Sequence, residues 1–107
     1  MSLRAPIAVT VEVRGAGRRA FRLARSLGED GVRLERPAPF EIGRPVEVAF
    51  TLPEQSETLT LRARVALCDE DDEEAGGSEL GFLSPPESAK AVVHRYVAQR
   101  LGLAESG

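Results

Sequence analysis

The sequence is poor in the residues that most often carry chemistry. In 107 residues it has one cysteine, Cys68, one histidine, His94, and five aromatics. A lone cysteine excludes an internal disulfide and fits a reducing compartment. No apolar run approaches the roughly 18 residues a membrane-spanning helix needs. The N-terminal MSLRAPIAV lacks the long apolar centre of a secretory signal. The expectation is a cytoplasmic protein with no membrane insertion. Lysine is also scarce: every cation except Lys90 is an arginine, which favours planar, two-pronged contacts with anions.

Catalysis has no assembled parts. No serine has a base near it in the sequence, and His94 falls on the polar side of a helical pattern. Cys68 stands before the acidic run Asp69 to Glu74, which would raise a thiol pKa rather than activate the sulfur. The run is contiguous, with no glycine at the bend and Leu80 where a calcium loop places its twelfth-position glutamate. It reads as a solvated, self-repelling loop. No enzyme activity, metal or cofactor is expected.

Charge is divided along the chain. The net charge is −3, but residues 1–44 carry +4 and residues 45–107 carry −7. An acidic total argues against DNA, where affinity rests on neutralising many phosphates. An arginine cluster in the first half can still hold a small anion.

What the sequence does have is alternation. Ile7, Val9, Val11 and Val13 alternate with polar or small residues, a half-buried strand. RGAGR at 14–18 is a hairpin signal. Phe21 and Leu23 continue in a second strand to about Ser26, and the turn Gly28-Glu29-Asp30-Gly31 leads into a third with Val32 and Leu34. Strands with Val46 to Leu52, Leu59 to Leu67, and Leu80 to Phe82 follow. On this alternation Phe21, Leu23, Phe50 and Phe82 point inward, while Arg22 and Arg33 point outward. Pairing of the second and third strands would gather several guanidinium groups on one outer face.

The period then changes to helical. Ser84-Pro85-Pro86-Glu87 reads as a capping box, and Val92, Val93, Tyr96 and Val97 form an apolar stripe. Gly102 is a stop signal. The expectation is a single domain over 1–107, all-β, with strands over about 7–83 and one C-terminal helix over about 85–102. A closed antiparallel barrel would remove the exposed strand edges, with the helix laid on an open end.

In order and spacing these elements resemble the PilZ domain, a six-stranded antiparallel β-barrel with a C-terminal helix. APIAVTVEVRGAGRRAFRLARSLGEDGVRLE looks like its first three strands, IGRPVEVAFTLP and LTLRARVAL like the next two, and ELGFLSP like the sixth. The family binds the bacterial second messenger cyclic di-GMP through two motifs. These are Arg-x-x-x-Arg before the first strand and Asp/Asn-x-Ser-x-x-Gly at the turn into the third.

Arg4 stands where the second arginine of the arm is expected, and its partner would fall one residue before Met1. Arg14/Arg18 and Arg18/Arg22 repeat the spacing but lie in and after the first hairpin. With Gly31 at the last motif position, Ser26 stands for Asp/Asn and Gly28 for Ser. The resemblance therefore implies a ligand-binding set of Arg4, Ser26, Gly28 and Gly31 with the arginines Arg22, Arg25 and Arg33, acting in cyclic di-GMP signalling. Two alternatives stand beside it: a PilZ-like adaptor that binds no nucleotide and docks on a protein partner, and a small barrel that binds another polyanion.

Overall fold

The computed structural model describes residues 3–53, 55–69 and 77–102, and of 67–69 the backbone alone. The expectations for the Cys68 thiol and for the acidic run past Asp69 lie outside the described residues. Seven strands precede the helix: β1 Arg4–Pro6, β2 Thr10–Gly15, β3 Arg18–Gly28, β4 Gly31–Leu34, β5 Pro45–Thr51, β6 Thr58–Asp69 and β7 Gly77–Phe82. The helix α1 is Glu87–Arg100.

All pairings are antiparallel, in the order β1-β3-β2-β5-β6-β7-β4, and β4 returns to pair with β3. That last pairing closes a six-stranded barrel. The extra strand, β1, lies along the C-terminal part of β3, in line with β2. Residues Ile7 to Val9 separate the two, and the Ile7 N–H still donates to the Arg25 carbonyl at 3.2 Å. The first strand of the sequence reading, expected from Ile7, begins instead at Thr10, and a separate strand precedes it, ending at Pro6, which has no N–H to give to a ladder. Three residues ending in proline carry no periodic signal.

Turn chemistry explains the corners. Ala16 and Gly17 both have positive φ, 49° and 74°, as the tight hairpin between β2 and β3 requires. Inside, Val11, Val13, Leu27, Val32, Leu34, Val48, Val65 and Leu80 are essentially fully buried. Among the described residues Ser78 is the buried polar side chain, and its hydroxyl accepts the Ala38 N–H at 2.8 Å. This bond ties the long β4–β5 connection to β7. Phe50 and Phe82 stack with ring centroids 6.5 Å apart.

Two expectations are corrected. Phe21 and Leu23 do not point inward; they are 56 % and 44 % exposed. Antiparallel partners share a face, and β2 sends Val11 and Val13 inside. Their partners Arg22 and Ala20 therefore face the same way. A period of two fixes the spacing of a strand's faces but not which face is inner. The Arg22 side chain escapes to the rim, where Nε donates to the Pro37 carbonyl at 3.0 Å and Nη1 to the Phe21 carbonyl at 2.8 Å. A bulge at Arg25, between the pairs Ala24–Leu34 and Ser26–Arg33, shifts the phase again, so that Leu27 is buried.

The second correction concerns the helix start. Ser84 makes no cap; it adopts φ 44°, and Pro86 occupies the cap position with no side-chain hydrogen bond. Gly102 does end the helix, at φ 69°. Ala89, Val93, Val97 and Ala98 are buried, with Val92 and Tyr96 packed against the core edge. The Tyr96 hydroxyl donates to the Pro6 carbonyl at 3.3 Å, so α1 rests on β1 and β3.

Val93 is 1 % exposed at this contact. Val93→Asp should cost about 3 kcal/mol or more, because an unpaired carboxylate would be buried. Urea unfolding that gave an unchanged midpoint would contradict the packing of α1.

Candidate functional site

The hairpin between β3 and β4 turns on two residues, Glu29 and Asp30, closed by the pair Gly28–Gly31. Its backbone is fixed from β7, where the Phe82 N–H donates to the Asp30 carbonyl at 2.9 Å. Register carries one row of positions across five strands through this turn. Arg4 pairs with Gly28, Gly28 with Gly31, Gly31 with Gly81, and Gly81 with Arg64. Three consecutive glycines leave the row without side chains between its two arginines.

The glycines are required by what lies against them. A Cβ on Gly28 would come within 2.9 Å of both Arg4 Cγ and Asp30 Oδ1, and within 2.7 Å of the Leu3 carbonyl. A Cβ on Gly31 would meet the Leu80 carbonyl at 2.4 Å and Arg4 Nη2 at 3.2 Å. The Arg4 side chain therefore lies across the hairpin, in contact with the positions where side chains are missing.

The guanidinium of Arg4 ends among carboxylates. Nη2 is 3.3 Å from Asp30 Oδ1 and is hydrogen-bonded to Glu79 Oε1. Glu79 sits opposite Arg33 in the register, with its other oxygen 4.0 Å from Arg33 Nη1. Burial alone would lower the Arg4 pKa, but the bond and charge of Glu79, followed by Asp30, outweigh it and raise it. Glu29, the other turn residue, meets His94 Nδ1 at 3.1 Å. One two-residue turn thus touches Arg4 through Asp30 and the helix through Glu29.

The structure brings together five of the seven residues expected from the sequence. Ser26 pairs with Pro6 on one side and Arg33 on the other, next to the Arg4–Gly28–Gly31 row. Arg25 borders the group at the bulge, exposed. Arg22 is not part of it. It lies four residues from Ser26 along β3, about 13 Å at strand spacing, and is bonded to Pro37 and Phe21. Asp30 and Glu79 are the members the sequence reading missed. Asp30 sat in plain view inside the turn, whereas Glu79 is joined to it only by the β4–β7 register.

Arg22 instead helps line a shallow groove of about 560 Å³ with Phe21, Leu23, Glu35, Arg36 and Pro37. The Arg19 guanidinium stands 5.8 Å from the Phe21 ring centre. No group of metal-ligating side chains occurs among the described residues, and no described helix is long and apolar enough to cross a membrane.

The family model described as PilZ domain matches residues 2–99. The chain belongs to the PilZ family. The barrel with its C-terminal helix is similar to three solved structures. The inhibitor of motility MotI/DgrA of Bacillus subtilis superposes with a TM-score of 0.80 at 14 % identity, covering 98 % of this chain and 52 % of that one. The PilZ domain of CeSA from a cellulose-synthesizing bacterium gives 0.66 at 20 %, covering 94 % and 96 %. PlzA of Borreliella burgdorferi, solved in complex with c-di-GMP, gives 0.59 at 16 %, covering 97 % and 53 %. This PilZ domain thus spans about half the length of MotI and PlzA. A search of curated proteins found no match.

The glycine row makes a paired prediction for this PilZ domain. Gly31→Ala must push the Leu80 carbonyl aside and should cost about 1–3 kcal/mol in urea unfolding. At Gly81 the nearest atom to a new Cβ is 4.0 Å away, so Gly81→Ala should stay within about 0.5 kcal/mol of the parent. Equal effects would contradict the close approach at Gly31.

Proposed function

We propose that this PilZ domain is a regulatory module of cyclic di-GMP signalling that binds the nucleotide weakly on the surface around Arg4, Ser26, Gly28, Gly31 and Arg33. The observation that carries the reading is the Arg4 guanidinium laid across the Gly28–Gly31 hairpin. Arm residue and motif turn, 24 positions apart at their nearest, meet on one face. A guanidinium fork suits a phosphate or a guanine edge, and bare glycine backbone lets a flat ligand come close. The Ser26 hydroxyl and Arg33 add polar partners, and Arg25 borders the site.

Weak binding follows from what is missing. Ser26 supplies no carboxylate and Gly28 no hydroxyl at the motif positions, while Asp30 and Glu79 already compete for Arg4. PlzA, bound to c-di-GMP, and MotI, an inhibitor of motility, are neighbours in fold, and they support a nucleotide-linked regulatory role; the role proposed is non-enzymatic and in the bacterial cytoplasm. A change at the turn would reach α1 through Glu29 and His94.

A second reading has its own observation. Phe21 and Leu23 stand exposed in the groove they line with Arg22 and Pro37. Exposed apolar groups of this kind suit a protein partner, as expected of an adaptor that binds no nucleotide.

Calorimetric titration with cyclic di-GMP at low and moderate salt separates the two. The first reading predicts saturable binding that weakens with salt, is lost in Arg4→Ala and survives in Arg22→Ala. A flat trace on folded protein would reject nucleotide binding by the native domain and favour the adaptor.

A further inference from the structure

We infer that Asp30 and Glu79 are a built-in counter-anion for Arg4: they close an anion seat over the Gly28–Gly31 hairpin, and an incoming anion must displace them. The inference rests on the reading of this surface as the nucleotide face and adds its control.

Both carboxylates hold positions that an anion bound to Arg4 would need. Asp30 Oδ1 is 3.3 Å from Arg4 Nη2 and sits 2.9 Å from where a Cβ of Gly28 would be, so it covers the open glycine itself. Glu79 bonds the same Nη2 from β7 and faces Arg33 on its other side. Two guanidinium groups and two carboxylates leave the seat without net positive charge. A phosphate added to it would gain little from Arg4 and would face two like charges at close range, which suppresses binding strongly.

The two acids differ in how firmly they hold. The Asp30 side chain is 50 % exposed and can swing into water while its backbone stays bonded to Phe82. Glu79 is 20 % exposed and lies between Arg4 and Arg33. Glu79 is therefore the main lock and Asp30 the cover. The charge of Asp30 beside the turn is visible in the sequence, whereas Glu79 reaches Arg4 only through the fold.

The test uses the whole chain as parent, D30N, E79Q and the D30N/E79Q double variant, each confirmed folded by its amide spectrum. Each is titrated with cyclic di-GMP and, separately, with inorganic pyrophosphate, following the amide signals of Gly28 and Gly31. Asn and Gln keep the side-chain size while removing the negative charge. The expected result is tighter nucleotide binding, by about tenfold or more for E79Q, less for D30N and most for the double variant. If the double variant gains pyrophosphate binding but ignores the nucleotide, the closed seat stands and the cyclic di-GMP reading falls. If parent and variants bind the nucleotide equally, the reading stands and the lock is overturned. If neither probe shifts Gly28 and Gly31 in any of the four folded proteins, both are overturned. Should the double variant fail to fold, E79Q alone carries the same outcomes.

Discussion

Strand β3 is hydrogen-bonded along both edges, and everything else in the domain depends on that double pairing. On one edge it holds β2 and then β1; on the other it holds β4. Without the β4 pairing the sheet would be open, with two edges exposed to chance association. With it, residues 26–28 are enclosed between β1 and β4. Arg4 is thereby delivered to a hairpin far from it in sequence. The bulge at Arg25 belongs to the same arrangement. It turns the phase of β3 so that Leu27 fills the core while Ser26 and Gly28 stay on the side of Arg4.

Electrostatics then decides how that surface behaves. The sequence divides into a positive first part and a negative second part, yet the fold brings the two together at the site. Arg4 on β1 and Glu79 on β7, the first and last strands along the chain, meet across β3 and β4. An arginine cluster seen in sequence is thus no guide to a positive surface: Arg14 and Arg19 share Glu12, Arg14 also meets Glu47, and Arg4 and Arg33 share Glu79. Of the cations that looked available for a ligand, Arg4, Arg14, Arg19 and Arg33 are held by carboxylates and Arg22 by backbone carbonyls.

Much of the architecture was legible because it is written locally. Alternation located six strands, the Ala16-Gly17 and Gly28–Gly31 turns carried their own chemistry, and the apolar stripe of α1 named Val93 and Val97 correctly. The failures share a cause. Alternation could not tell the inner face of β3, since Phe21 and Leu23 look more like core than Ala20 and Ala24 do, and only pairing with Val11 and Val13 decides the phase. The three-residue β1 was too short to show a period. At the site, Arg4 and the two hairpin glycines could be placed by the resemblance, whereas Glu79 needed the β4–β7 register, which no local pattern encodes. Ser84 looked like a helix cap, but Pro85 and Pro86 follow it and the helix begins only after them.

Glu79 holds Arg4 on the glycine hairpin, and a double-mutant cycle on this pair tests that contact most directly. Unfolding free energies of the parent, Arg4→Ala, Glu79→Ala and the double variant give the coupling. A pair of this exposure, within a network of four charges, should show a favourable coupling of about 1 kcal/mol that shrinks in high salt. Additive losses, with no coupling at low salt, would mean that the two residues do not interact and that the hairpin face is not organised as described.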